Sequence, residues 1–221
     1  MIPGRRLARP NLAIASLVLV AAACGGPAST SSPNASAAGA ADCTADHRAA
    51  GALPELEALL PLGMIERSPD SVDSGLNCTS AALGSYVGHG VRELRFAGAT
   101  WDQGNGDATV AAILATRPVG QPALETAWVE EFYTAGAVAG RHTGDVKTSR
   151  PAMRGAGQVF RLEAINNLSL QTVVVWPAAP YTRVVIVATT VEPGASRAEH
   201  DQRVEIAVEV AAAVPVPGQA P

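Results

Sequence analysis

Hydrophobic and polar positions divide the chain into segments of contrasting period. Residues 12–23 form an uncharged apolar run, preceded by Arg5, Arg6 and Arg9. Residues 25–42 carry no large apolar side chain. They cannot bury enough surface to offset the entropy of ordering, which predicts a flexible tether. A short helix is expected over 53–60, where Pro54 suits the first helical position and Leu53, Leu56, Leu59 and Leu60 share a face. Pro61 and Gly63 end it. The stretch 66–90 is rich in Ser, Asp and Gly and reads as irregular.

Beyond it the period changes. Residues 90–101 and 107–117 read as two strands around a tip at Asn105-Gly106, which supplies the positive φ angles of a tight hairpin. A helix is expected over 122–138, with Leu124, Trp128, Phe132 and Ala135 recurring at three and four and Glu125, Glu130 and Glu131 off or beside the stripe. Three further strands follow at 157–165, 168–176 and 181–191. The last two contain continuous apolar runs (Val173, Val174 and Val175; Val184, Val185, Ile186 and Val187) of the kind found in central strands covered on both faces. A closing helix over 197–213 has Ser196 and Glu199 at capping-box spacing and an apolar stripe of Val204, Ala207, Val208 and Ala211. Strands in a meander with helices before and after imply an α+β domain: an antiparallel sheet of about five strands, a central helix, a C-terminal helix and one disulfide.

The N-terminal run is the most specific signal. A helix of its length spans about 18 Å, against about 30 Å of bilayer hydrocarbon, so it is short for a permanent span. Its basic start and apolar middle have the form of a secretory signal peptide. The run ends in Val20-Ala21-Ala22-Ala23-Cys24, followed by Gly25 and Gly26. This resembles the lipobox of bacterial lipoproteins, although Ala21 stands where that family more often has Leu. The resemblance implies cleavage before Cys24 and a thioether-linked diacylglyceryl group on its sulfur. It further implies anchoring to the extracytoplasmic face of the cell membrane. Arg5-Arg6 reads as an ordinary basic start rather than a twin-arginine signal.

Composition adds bounds to this picture. Three basic residues leave with the signal, moving the formal charge from −4 to −7. A mildly acidic chain without a basic cluster argues against nucleic acid as a partner. Frequent Ala, Gly and Val fits high-GC coding of the actinobacterial kind. With Cys24 acylated, Cys43 and Cys78 remain as an even pair in an oxidising compartment, which predicts a bridge. Closing that loop contributes about 3.8 kcal/mol on the chain-entropy account. The expected organisation is a signal peptide at 1–23, a lipidated tether at 24–42, one domain at 43–214 and a disordered tail at 215–221.

Candidate chemistry is sparse. The loop from Asp102 to Asp107 departs from a calcium loop, because Gly104 and Gly106 occupy positions that need side-chain oxygen and no closing Glu follows. His47, His89, His142 and His200 show no ligand spacing, and Ser85 lacks the G-x-S-x-G frame. No phosphate-binding glycine motif opens a strand-to-helix turn. The expectation is therefore no catalytic residues, no metal and no cofactor. Trp176 and Tyr181, at the two ends of a Pro-rich turn, form the candidate binding surface. In layout the chain resembles small extracytoplasmic sensor or accessory domains of actinobacteria. That implies a non-enzymatic role, binding an envelope protein or a small ligand. The alternative expectation is a carrier that encloses a lipid or other hydrophobic small molecule, and a hydrolase is the third reading.

Overall fold

The computed structural model describes residues 45–64, 67–116, 120–191 and 197–217. The signal run, Cys24, the tether and Cys43 all lie outside these residues, as does Ser196 of the expected capping box. Among the described residues no helix is long and apolar enough to cross a membrane.

The chain is mostly sheet. Its strands are β1 (His47–Ala49), β2 (Ser71–Asn77), β3 (Leu94–Gly104), β4 (Asp107–Ala115), β5 (Thr143–Ser149), β6 (Ala152–Met153), β7 (Gly157–Gln158), β8 (Phe160–Asn166), β9 (Ser169–Ala178) and β10 (Tyr181–Thr190). Among the described residues four helices accompany them: α1 (Pro54–Glu57), α2 (Ser80–Leu83), α3 (Thr126–Ala139) and α4 (Arg197–Ala213). A 3₁₀ segment, Gly84–His89, continues α2. Eight strands form one antiparallel sheet in the order β1-β2-β3-β4-β10-β9-β8-β5, and β6 and β7 make a separate two-stranded ribbon.

This corrects the expected α+β domain with about five strands. The sheet holds eight, and the three that patterning does not show lack apolar alternation for two different reasons. β1 and β5 are its two edges, where one side of the strand meets solvent and apolar alternation is not required. β2 is the stretch read as irregular. It escapes a hydrophobic pattern because it buries Ser74 and Asn77 rather than apolar residues. Ser74 Oγ accepts from the Leu53 amide at 2.6 Å and donates to Glu57 Oε1 at 2.7 Å, so its burial leaves no orphaned group. Gly75 pairs with Arg48, and a Cβ there would stand 1.8 Å from the His47 carbonyl oxygen. Only glycine lets β1 close the edge. The disulfide expected as part of the fold is not established by the described residues, because Cys43 lies outside them.

The hairpin joining β3 and β4 turns on Asn105 and Gly106, at φ 55° and 88°. β9 and β10 are interior strands, and their apolar runs serve both faces. Val174, Trp176, Val185 and Val187 pack on one side, while Val173, Val175 and Val184 pack on the other. α1 and the turn after it cover the first face through Leu56 and Leu60, and α4 through Val204 and Val208, together with Trp101. The 3₁₀ segment and α3 cover the second through Tyr86 and Val129, over Phe96, Phe160 and Leu162. The result is three layers, helix on sheet on helix.

α4 is held at both ends. Near its start His200 bridges β9 and β10, and near its end Arg183 Nη2 donates to the Val214 carbonyl at 2.6 Å. That guanidinium is buried, which pushes its pKa below the ordinary arginine value, and it places positive charge at the negative end of the helix.

Candidate functional site

The two helical layers differ in how completely they cover the sheet. α3 contains two charged residues, Glu130 and Glu131, yet Val129 is its one fully buried side chain. Val138 is 70% exposed. Its Trp128, Phe132, Tyr133 and Ala137, with Leu124 just ahead of it, pack against the second core cluster and are only partly buried. The helix thus has apolar residues left over on its outer side.

Those residues bound an open groove of about 480 Å³ between α3 and the sheet edge. Ala127, Ala135 and Val138 line the helix wall, Thr148 of β5 the strand wall, and Phe160 of β8 the floor. Thr134, Glu130 and Glu131 add polar atoms along the helix side. Among the described residues β5 is an edge strand, paired with β8. A register shift between Gly144 and Lys147, with Asp145 at φ 50°, interrupts its pairing. Such a bulge discourages indiscriminate edge pairing, as Lys147 on the same strand also does.

The groove's acids are both engaged. Arg150 meets Glu130 with two hydrogen bonds, Nη1 to Oε1 at 2.9 Å and Nη2 to Oε2 at 2.5 Å. Its guanidinium carbon sits 5.6 Å from the Phe160 ring centroid. Hydrogen bonding to Glu130, with its charge, holds the Arg150 pKa above the ordinary value. Glu131 Oε2 lies 2.8 Å from His89 Nε2, and the His89 ring stacks on Trp128 with centroids 4.7 Å apart and planes 10° off parallel. Behind this pair, Tyr86 and Phe132 stack at 4.9 Å. Burial pushes the Tyr86 phenol far above its ordinary pKa, so it stays neutral. The aromatic stacks fix α3 to the 3₁₀ segment and leave its other side facing the groove.

The sequence-nominated residues fall elsewhere. Trp176 is 3% exposed and sits in the core cluster under α4; Tyr181 packs against that cluster and is half-buried. The two do not form an exposed patch. Asp102 and Asp107 of the hairpin tip are committed to the fold: Asp102 Oδ1 accepts from the Gly104 amide at 2.8 Å, and Asp107 accepts from the Thr190 amide and from Arg203. Among the histidines, His47 and His142 are exposed, His89 pairs with Glu131, and His200 is buried between two threonines. None of the four joins a Ser or Asp side chain to an open cavity among the described residues. Nor do three His, Cys, Asp or Glu side chains cluster there as a metal site. Cys78 donates its amide to Asp46 Oδ1 at 2.7 Å, which ties the start of the described chain to the α2 corner.

Patterning along α3 did not single out the groove residues. The available signal was the spread of Ala127, Ala135, Val138 and Ala139 outside the Leu124–Trp128–Phe132 stripe, which makes the helix apolar on more than one side. No known protein family, curated protein or solved structure matches the chain.

Proposed function

We propose that this chain is a lipid-anchored extracytoplasmic protein whose domain binds a segment of an envelope protein in the groove between α3 and β5. The observation that carries the reading is the incomplete burial of an apolar helix beside an open groove with an aromatic floor. Apolar side chains gathered in one concave surface with a few polar groups beside them suit the binding of a ligand or segment. A groove bounded by a helix and an edge strand fits a polypeptide, whose side chains enter it while its backbone lies along the strand. The segment it fits presents small apolar side chains to Phe160, Ala135 and Val138, with a donor group toward Glu131.

A lipid carrier would shield its cargo from water in an enclosed cavity, whereas this groove is open to solvent, which suits a bound polypeptide segment better. The Ala21-Ala22-Ala23-Cys24 sequence supports attachment through lipid on Cys24, with the tether setting the domain off the membrane. Two acyl chains give stable anchoring where one is marginal.

Site-specific photo-crosslinking in intact cells tests the groove. A photoreactive residue at position 138 is expected to capture a discrete protein, and Ala135→Arg is expected to abolish that capture. The same probe at Leu168, which is 71% exposed on the β8–β9 turn, is the control. Equal capture from both positions, or capture unaffected by Ala135→Arg, would overturn the assignment.

A further inference from the structure

His200 occupies an uncommon position for a titratable side chain. It is 2% exposed, in the second turn's reach of the α4 N-terminus, and both ring nitrogens are engaged by hydroxyls from different strands. Nε2 lies 2.7 Å from Thr172 Oγ1 of β9, and Nδ1 lies 2.8 Å from Thr189 Oγ1 of β10. A neutral imidazole suits this arrangement, with one nitrogen donating to a hydroxyl and the other accepting from the second. Protonation makes both nitrogens donors, requires both hydroxyls to accept, and places a cation between a helix and a sheet.

The charges facing His200 do not offset that cost. From β8 come Arg161 and Glu163, and from α4 come Arg197 and Asp201. β9 and β10 contribute Thr172 and Thr189. The four charged groups pair among themselves. Arg161 Nη2 meets Glu163 at 2.6 Å and also contacts Asp201; Arg197 meets Glu163 at 2.5 Å and Asp201 at 3.6 Å. Two acids and two bases cancel at the ring, and one turn further on Arg203 is neutralised by Asp107 at 2.8 Å. Burial is left as the deciding influence, and it lowers the His200 pKa below its ordinary 6.5.

We infer that His200 is an acid-sensitive latch, whose protonation releases the N-terminal half of α4 from β9 and β10. The C-terminal end stays docked, because Arg183 and the Val214 carbonyl do not titrate in this range. The open form binds a proton with the ordinary histidine affinity, and the closed form binds it more weakly. The latch is therefore fully effective above pH 6.5 and weakens as pH falls from 6.5 toward the lower closed-state value. A single proton makes the opening equilibrium rise by up to about tenfold per pH unit across that window.

Amide hydrogen exchange on the folded protein, corrected for intrinsic exchange rates, reads the latch directly. Protection of amides in residues 200–208 is expected to fall by up to about tenfold per pH unit below 6.5, while protection in β3 and β4 stays level. In His200→Gln, which retains a hydrogen-bonding group but cannot gain the proton, the α4 dependence should disappear. A wild type with no such dependence, or a variant that keeps it, would overturn the inference. Should the variant not fold, the wild-type His200 ring nitrogens followed by NMR decide the matter. A ring that stays neutral at pH 6 and charges only as α4 protection drops supports the latch; a ring already charged at pH 6 beneath a fully protected α4 refutes it.

Discussion

α4 and α3 press on opposite faces of one sheet and reverse the usual relation between composition and burial. α4 spans Arg197–Ala213 and carries six charged residues, yet it buries His200, Val204, Ala207, Val208 and Ala211. α3 spans Thr126–Ala139, carries two charged residues and fully buries Val129 alone. The difference lies in arrangement. On α4 the buried residues recur at three and four while Ile206 on its outer side stays exposed, and on α3 Ala127, Ala135, Val138 and Ala139 stand away from the side that meets the sheet. What the sheet does not accept lines the groove. Apolar content by itself therefore does not tell how much of a helix is buried; the room left by the sheet and its neighbouring segments does.

Substitutions sharpen this contrast, the largest effect being expected beneath α4. Trp101 is fully buried there, and its Nε1 donates to the Arg67 carbonyl at 3.1 Å. Trp101→Ala should cost about 3–5 kcal/mol in urea denaturation. A loss below about 1.5 kcal/mol would mean that this face is not the better packed of the two. Ser74→Ala removes the hydroxyl that joins the Leu53 amide to Glu57, and should cost about 1–3 kcal/mol by the same measurement. A neutral outcome would show that the bridge between α1 and β2 carries no stability.

Asp46 offers a smaller, pH-dependent effect on the other side of the edge. Burial disfavours its charge, but hydrogen bonds from the Thr79 hydroxyl and from the Thr79 and Cys78 amides outweigh this and hold the carboxyl below its ordinary 3.8. The folded pKa is the lower one, so the contribution is present above pH 3.8 and disappears as pH falls through the folded value. Asp46→Asn should flatten the stability curve in that acid range, and an unchanged curve would contradict the role of these bonds.

The same contrast explains what was legible in advance. The Asn105-Gly106 hairpin and the extent of α4 could be read because each depends on local chemistry: positive φ at a tight tip, and a single apolar stripe. The interior strands β9 and β10 announced themselves through valine runs that serve two covered faces. β2 could not be read this way, since Ser74 is buried by virtue of partners on α1, and no local pattern encodes a distant hydrogen bond. β1 exists only because Gly75 lets the His47 backbone approach. Trp176 beside Pro177 looked like a turn aromatic, but β9 pairing places it opposite Arg183 inside the sheet and under α4. The groove was hidden for a related reason: Phe160 and Thr148 come from strands that meet α3 only in three dimensions.

The smallest stability effect is expected at the groove, where the effect on partner binding is expected to be complete. Val138→Arg should change the denaturation midpoint by no more than about 0.5 kcal/mol, because the side chain is already 70% exposed. The decisive reading is the native size of the full protein extracted from cell envelopes in mild detergent, with Leu168→Arg as an equally exposed control. Wild type and Leu168→Arg are expected to run in a larger assembly, and Val138→Arg as the free chain. A Val138→Arg protein still found in the same assembly as wild type would contradict it.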